Sequence, residues 1–388
     1  MIKKYLRLFI IVLICLVAVY LRFRHLAGRE LWNDELFQLS QTAGAFKPIW
    51  SRATYGDMTC FPGDYLITYP FVKIFGPDKK KWGMAIPHFL MTLLGFYFLY
   101  RLGQRHFKTI WGYVVAFSVV CMNQYLIFHS LELRPYGVLC TLALAAFYYT
   151  DILWRERNLT IGQKCWIGSV LIGIIWFHAF GIIIVLCPLF YGLLTQRTNP
   201  EFKSIFKDVF KFLLIVFLVA IPVWLWFISA NPLKFTRETY LSMGINTFTY
   251  IANPLDGFWK FFNRTVFYHL IGFKQLYFLL GILVISIFVP FKEKARKFGF
   301  FLTVVLLPIA IILSADLING YWFLIRQYIY TAPLFAFFLG WLWDSAIHYY
   351  LDKSSRKFTP RSVIGLVLLM ICATAGTIGL ALHIFSRA

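Results

Sequence analysis

Charge is what this sequence has least of. Of its 388 residues only 14% are Asp, Glu, Lys or Arg, and only 17 residues are acidic. A soluble domain carries about a quarter charged residues. Here 60% of the residues are hydrophobic and the mean hydropathy is +0.69, more apolar surface than one water-facing core can bury. A soluble enzyme and a disordered chain are both excluded. Cysteine spacing is the next absence. The seven cysteines (Cys15, Cys60, Cys121, Cys140, Cys165, Cys187, Cys372) lie mostly inside apolar runs, with no CxxC pair and no His/Cys ligand spacing. Neither a disulfide scaffold nor a zinc site follows, and the thiols read as small buried hydrophobes. Repeats, low-complexity tracts and Gly/Ser linkers are also missing. Residues 1–388 therefore read as one membrane domain with no soluble part.

What is present is a polytopic, all-α membrane protein with a net charge of +21. In a soluble chain that excess would suggest nucleic acid. In one this apolar it points to basic cytoplasmic loops and anionic lipid instead. A span needs about 20 mostly apolar residues. Such runs lie near 5–22, 83–102, 110–128, 135–153, 165–179, 180–196, 209–229, 275–291, 298–314, 327–345 and 362–385, which makes about eleven helices. The run from 165 to 196 divides near His178 and Gly181.

The first run follows Lys3, Lys4 and Arg7 and ends in Tyr20-Leu21-Arg22-Phe23-Arg24, with no small-residue cleavage site. It reads as a retained signal anchor whose N-terminus is cytoplasmic. Alternating the spans from there places Arg101–Lys108, Arg155–Lys164, Arg197–Lys211, Lys292–Lys297 and Lys353–Arg361 inside, and all are basic. The short outer loops near Leu131–Arg134 and Ala315–Arg326 carry one basic residue each, as the positive-inside rule requires. Two outer segments are long, about 23–82 and about 230–272. Within the first, Tyr65–Phe75 is apolar but, at about 1.5 Å per residue, too short to cross a core of about 30 Å. It reads as a helix lying along the outer interface.

With so few charges, those at the outer helix ends stand out. Leu31-Trp32-Asn33-Asp34-Glu35-Leu36 sets two carboxylates beside an apolar surface. Such a setting disfavours the charged form and makes a better base. The plainer reading is a helix start, capped by Asn33 or Asp34. Phe128-His129-Ser130-Leu131-Glu132-Leu133-Arg134-Pro135-Tyr136 puts an acid, a guanidinium and a phenol on the same side, where a Glu132–Arg134 pair tying two helix ends together is the alternative. Arg326-Gln327-Tyr328, followed by Pro333, opens a late helix, where an arginine can also simply snorkel. His178, at the helix break, reads either as a site residue or as a packed, hydrogen-bonded one. Together these residues suit a reaction between a lipid-borne phosphate and a polar acceptor. Arginine grips phosphate oxygens through its planar fork, and a carboxylate takes the proton of an attacking hydroxyl.

These motifs resemble those of the membrane glycosyltransferases of the GT-C class that use polyprenyl-phosphate sugars. The nearest group holds the protein O-mannosyltransferases, the aminoarabinose transferases of lipid A and the Rgt-type bacterial enzymes. The family's first-loop Asp-Glu pair is matched by Asp34-Glu35. Its His-Pro-Pro-Leu-Tyr-Tyr stretch, leading into a Gly-ended amphipathic helix, is matched by Phe61-Pro62-Gly63-Asp64-Tyr65 running to Phe75-Gly76. There one proline stands where two are usual, and Gly63-Asp64 departs from the pattern. The Glu-x-Arg-Pro-Tyr stretch is matched by Glu132-Leu133-Arg134-Pro135-Tyr136. The late Arg-Tyr is matched by Arg326 and Tyr328 with Gln327 inserted. Residues about 200–320 match only as a pattern of helices.

The resemblance implies a GT-C bundle whose long first extracytoplasmic loop carries interfacial helices. It implies inverting transfer of a hexose or pentose from an undecaprenyl- or dolichyl-phosphate carrier to a glycolipid, glycan or protein on the extracytoplasmic face, as in lipopolysaccharide or protein glycosylation. Asp34 would be the base, and Glu35 would orient acceptor or sugar hydroxyls. Arg326, Arg134 and Tyr328 would hold the donor phosphate. Glu132, Tyr136, Pro62, Tyr65 and His178 would line the substrate cleft. No cofactor is required, although two carboxylates could hold Mg²⁺ or Mn²⁺. The compact loops suggest a bacterial inner (plasma) membrane, with no nucleic-acid partner. A lipid-linked sugar flippase would place charges mid-span and often show a repeat. A polysaccharide polymerase or ligase would lack the Asp-Glu pair after the first helix.

Overall fold

The computed structural model describes residues 2–27, 30–43, 62–75, 81–178, 180–229, 291–319 and 325–354. All of these form helices and their connections, with no strand among the described residues. The elements are α1 (Ile2–Ala27), α2 (Asn33–Thr42), α3 (Pro62–Phe75), α4 (Lys81–His106), α5 (Ile110–Met122), α6 (Gln124–His129), α7 (Tyr136–Arg155), α8 (Ile161–Phe177), α9 (Gly181–Gln196) and α10 (Phe202–Ser229). α11 (Phe291–Phe300) continues through a π-helical stretch, Phe301–Leu306, into α12 (Leu307–Asn319). A 3₁₀ turn, Ile325–Tyr328, leads into α13 (Thr331–Ser354). The runs at 275–291 and 362–385, and the loop at 230–272, lie outside the described residues apart from Phe291.

The predicted spans fall on helices wherever the chain is described, and four of these are long and apolar enough to cross a membrane. The break expected near His178 is there. His178 is extended at the end of α8, and Gly181 begins α9. Two details differ from expectation. The run at 110–128 is two helices, because the Asn123 side chain stops one and caps the next, accepting from Tyr125 N at 2.9 Å and Leu126 N at 3.1 Å. Several basic stretches assigned to loops are helical: α10 begins at Phe202 and α11 at Phe291. Lysine and arginine are good helix formers, so helices run on past their apolar part. In the α11–α12 run, Pro308 has no N–H to give the carbonyl four residues back, and the helix widens just before it.

α13 is the central post. Its residues from Thr331 to Leu342 are buried, and it packs closely against α5. A Cβ on Gly340 would lie 2.4 Å from the Gly112 carbonyl oxygen, so small residues set this close helix approach. One end of the bundle is tied by polar groups. Asp344 accepts from Lys108 N (2.7 Å), Thr109 N (2.6 Å) and the Thr109 hydroxyl (2.6 Å), and Asp151 accepts from Arg105 (2.7 Å) and Arg155 (2.6 Å). α1 and α10 line the outside and expose apolar side chains such as Phe9, Leu16, Phe210 and Leu225, as surfaces facing lipid do. At the opposite end Arg22, buried in α1, donates to the Cys121 carbonyl (3.3 Å) and the Val120 carbonyl (3.5 Å), satisfying the last turn of α5. That end carries α2, α3, the turn before α7, the α8–α9 break and the 3₁₀ turn.

Candidate active site

α2 starts where the sequence turns polar. Its buried face is Glu35, Gln38, Leu39 and Thr42, spaced as one side of a helix, while Leu36 and Ser40 point away. Asp34 sits at the edge of that face, with its side chain 29% exposed. Its Oδ2 lies 3.9 Å from Nη2 of Arg134, whose side chain is only 4% exposed. The Arg134 guanidinium carbon is 5.9 Å from the centre of the Tyr136 ring. An acid and an arginine 100 residues apart in the chain are thus brought together at one helix end.

Glu35, the neighbouring carboxylate, is fully buried and faces the protein. One oxygen accepts from Leu133 N at 2.9 Å and the other from Trp32 N at 3.3 Å. The reach back to Trp32 is the carboxylate half of a capping box. The helix start expected at this point is therefore real, and the Glu35 carboxylate makes a hydrogen bond there. The bond to Leu133 ties α2 to the turn that presents Arg134. Glu132, also buried, pairs with Nδ1 of His129 and not with Arg134. The His129 ring meets Tyr136 edge-on at 5.6 Å, and Tyr136 lies 6.4 Å from His178. A Cβ on Gly137 would come within 2.6 Å of the His129 carbonyl oxygen, so only glycine lets α7 begin this close to the turn.

His178 accepts from Phe180 N through Nδ1 at 3.1 Å, which places its proton on Nε2. The start of α3 sits against this break, because Gly63 approaches Phe177 and the Trp176 carbonyl. Tyr65 in the next turn is buried. Tyr328 is buried in the 3₁₀ turn. The turn is joined to α7 by Cys140, whose thiol donates to the Ile329 carbonyl at 3.7 Å, and to α13 by Thr331, which donates to the Tyr328 carbonyl at 2.8 Å. The side chains of Arg326 and Pro62 lie outside the described residues, although the backbone of each begins or joins an element at this end. No three His, Cys, Asp or Glu side chains gather as a metal-sized cluster among the described residues.

The sequence pattern missed a second polar cluster at the same end. Asp64, His88, Gln38 and Thr68 are all fully buried. Asp64 accepts from Gln38 at 2.5 Å and from His88 Nε2 at 3.0 Å, and Gln38 also donates to Thr68 at 3.3 Å. Asp64 had shown itself only as a polar departure from an apolar motif position. His88 lies inside an apolar run, where nothing local marks it.

The helix ends at this face of the bundle thus gather an acid, a buried arginine and buried phenols. Residues 62–226 match the family model described as dolichyl-phosphate-mannose-protein mannosyltransferase. The fold is similar to that of ArnT from Cupriavidus metallidurans bound to undecaprenyl phosphate, at 12% identity and a TM-score of 0.53, over 95% of this chain and 72% of that one. It is also similar to the apo state of ArnT from the same organism, at 13% identity and a TM-score of 0.50, over 95% of this chain and 63% of that one. No curated protein matches this sequence. The family pattern over residues 62–226 and the fold over most of the chain thus point the same way, to a likeness with membrane glycosyltransferases. The resemblance carried by Glu132-Leu133-Arg134-Pro135-Tyr136 lies inside the matched residues, whereas Asp34-Glu35 lies before them.

Proposed function

We propose that this chain is an inverting glycosyltransferase that moves a sugar from a polyprenyl-phosphate carrier to a hydroxyl of an extracytoplasmic glycolipid, glycan or protein. The observation that carries the reading is the partly exposed Asp34 beside the buried Arg134. The acceptor oxygen forms a bond to the anomeric carbon from the face opposite the phosphate. Asp34 takes the acceptor proton, and the bond from that carbon to the phosphate oxygen breaks, its electron pair leaving on the polyprenyl phosphate. Arg134, with Arg326 from the 3₁₀ turn and the phenol of Tyr328, holds the leaving oxygens. Before the donor arrives, Asp34 answers the charge of Arg134. A phosphate on that guanidinium takes over the pairing and frees the carboxylate for the acceptor hydroxyl. Tyr136, Tyr65, Glu132 and His178 would line the same cleft, with Pro62 at the start of α3. Glu35 holds the turn in place, since its oxygens already face backbone N–H groups. We place the protein in a bacterial plasma membrane with its N-terminus in the cytoplasm.

Asp34→Asn tests the reading in membranes supplied with undecaprenyl-phosphate sugars, scored by release of undecaprenyl phosphate. The amide keeps shape and loses basicity, so turnover should fall by roughly 100-fold or more, within the range for a general base. Near-normal turnover removes Asp34 from the role. The step is written without a metal ion, and turnover should therefore survive EDTA. Loss that Mg²⁺ or Mn²⁺ restores would add an ion at the carboxylates.

A further inference from the structure

The buried Asp64–His88 pair calls for an explanation that folding alone does not supply. Taking a carboxylate and an imidazole out of water costs more than their attraction commonly returns, and apolar residues of similar size serve a core as well or better. The pair nonetheless sits fully buried between α3 and α4, and Asp64 also holds Gln38 of α2. Gln38 follows Asp34 by four residues and so lies one turn along the same side of α2. The grip on Gln38 fixes the flank of the helix from which Asp34 projects.

The contact is one link of a closed ring. From α2, Glu35 accepts from Leu133 N in the turn before α7 at 2.9 Å. In that turn the Ser130 carbonyl accepts from Thr92 of α4 at 3.4 Å. Thr92 lies one turn beyond His88 on α4, His88 bonds Asp64 of α3 at 3.0 Å, and Asp64 accepts from Gln38 of α2 at 2.5 Å. The ring joins four elements, and Asp34 and Arg134 are carried by two of them. Lys73 of α3 adds a contact to the Ala43 carbonyl, just past the end of α2, at 3.0 Å.

We propose that Asp64 is a positioning residue for the catalytic base: through Gln38 it fixes the rotation and height of α2, and with them the placement of Asp34 against Arg134. This rests on the reading of Asp34 as base. Asp64 itself touches neither donor nor acceptor. A misplacement of about 1 Å costs on the order of 100-fold in rate, so the clamp acts on turnover rather than on lipid binding.

The full-length protein in detergent provides the test. Asp64→Leu combined with His88→Leu replaces the pair by apolar side chains, and the variant should melt near the wild-type temperature. Amide hydrogen exchange over Asn33–Thr42 should quicken about tenfold while α7 keeps its protection. The Kd for undecaprenyl phosphate should stay within about twofold. Release of undecaprenyl phosphate from a panel of undecaprenyl-phosphate hexoses and pentoses should slow about 100-fold in kcat. Asp64→Asn, which keeps an acceptor oxygen for Gln38, should recover much of both losses; if the double variant fails to fold, Gln38→Ala, which breaks the same link from α2, should show the faster exchange and the lower kcat. Unchanged exchange in α2 overturns the proposal, as does unchanged kcat or a parallel loss of undecaprenyl-phosphate binding. The exchange result stands apart from Asp34→Asn: normal turnover in that variant sinks the base, while a loosened α2 in the Asp64 variants still establishes the clamp.

Discussion

Asp34 and Glu35 are adjacent carboxylates that the fold sends to different work. Asp34 stands at the edge of α2, part in solvent, 3.9 Å from a guanidinium. Glu35 is buried and accepts two backbone N–H groups, from Trp32 and Leu133. A carboxylate so occupied contributes to placement, and the cost of changing it falls on folding. Glu35→Gln keeps one acceptor but turns an NH₂ toward a backbone N–H, leaving a buried donor unsatisfied at about 1–3 kcal/mol. Its melting temperature should drop clearly, by thermal denaturation in detergent, whereas Asp34→Asn should melt like wild type and lose turnover. Equal melting of the two variants would mean that Glu35 does not carry the turn. Arg134 and Tyr136 share the residue scale with them. Both are buried at the outer helix ends, where Arg134 has Asp34 within 3.9 Å and the Tyr136 ring beside it.

At the scale of elements, the breaks matter more than the spans. α5 stops at Asn123, α6 supplies His129, and the turn that follows delivers Glu132, Leu133 and Arg134. Asn123→Ala removes the acceptor for Tyr125 N and Leu126 N, at about 0.5–2 kcal/mol. Because α6 is only one and a half turns long, that loss should show as faster amide exchange across 124–134 and weaker undecaprenyl-phosphate binding. Normal exchange there would show that packing alone holds the turn. The spans themselves were legible because an apolar run of span length has one stable outcome in lipid. The break at His178 was legible from a polar residue and a glycine close together. The break at Asn123 was not, since apolar residues continue on both sides and only the side-chain cap distinguishes it. Asp34 and Arg134 could be suspected separately, but their approach depends on helix packing over 100 residues. The Gln38–Asp64–His88 cluster was illegible for the same reason, joining three elements whose local patterns look unremarkable.

For the whole molecule, the two ends of the bundle differ in kind. One end spends its charges on holding helices together, through Asp151 with Arg105 and Arg155, Arg157 with Glu201, and Asp344 at the start of α5. Among the described residues the other end gathers fewer charges, among them the buried Arg22, Glu35, Asp64, Glu132 and Arg134, and keeps Asp34 partly open. The loops at the first end, from 101–108, 155–164, 197–211 and 292–297, are rich in lysine and arginine. If those loops are cytoplasmic, the polyprenyl phosphate meets Asp34 and Arg134 on the far side, where a lipid-linked sugar that has already crossed the membrane would be used. Single cysteines decide it: Asn158→Cys in the loop between α7 and α8, and Glu30→Cys just before α2, each compared with the parent protein. A membrane-impermeant maleimide should label Glu30→Cys in intact spheroplasts, and Asn158→Cys only after permeabilisation. The reverse pattern would put the candidate site in the cytoplasm and turn the acceptor into a cytoplasmic one. Labelling at both positions in intact cells would mean that α4, α5 and α7 do not separate them across the bilayer, against the span count between residues 81 and 155.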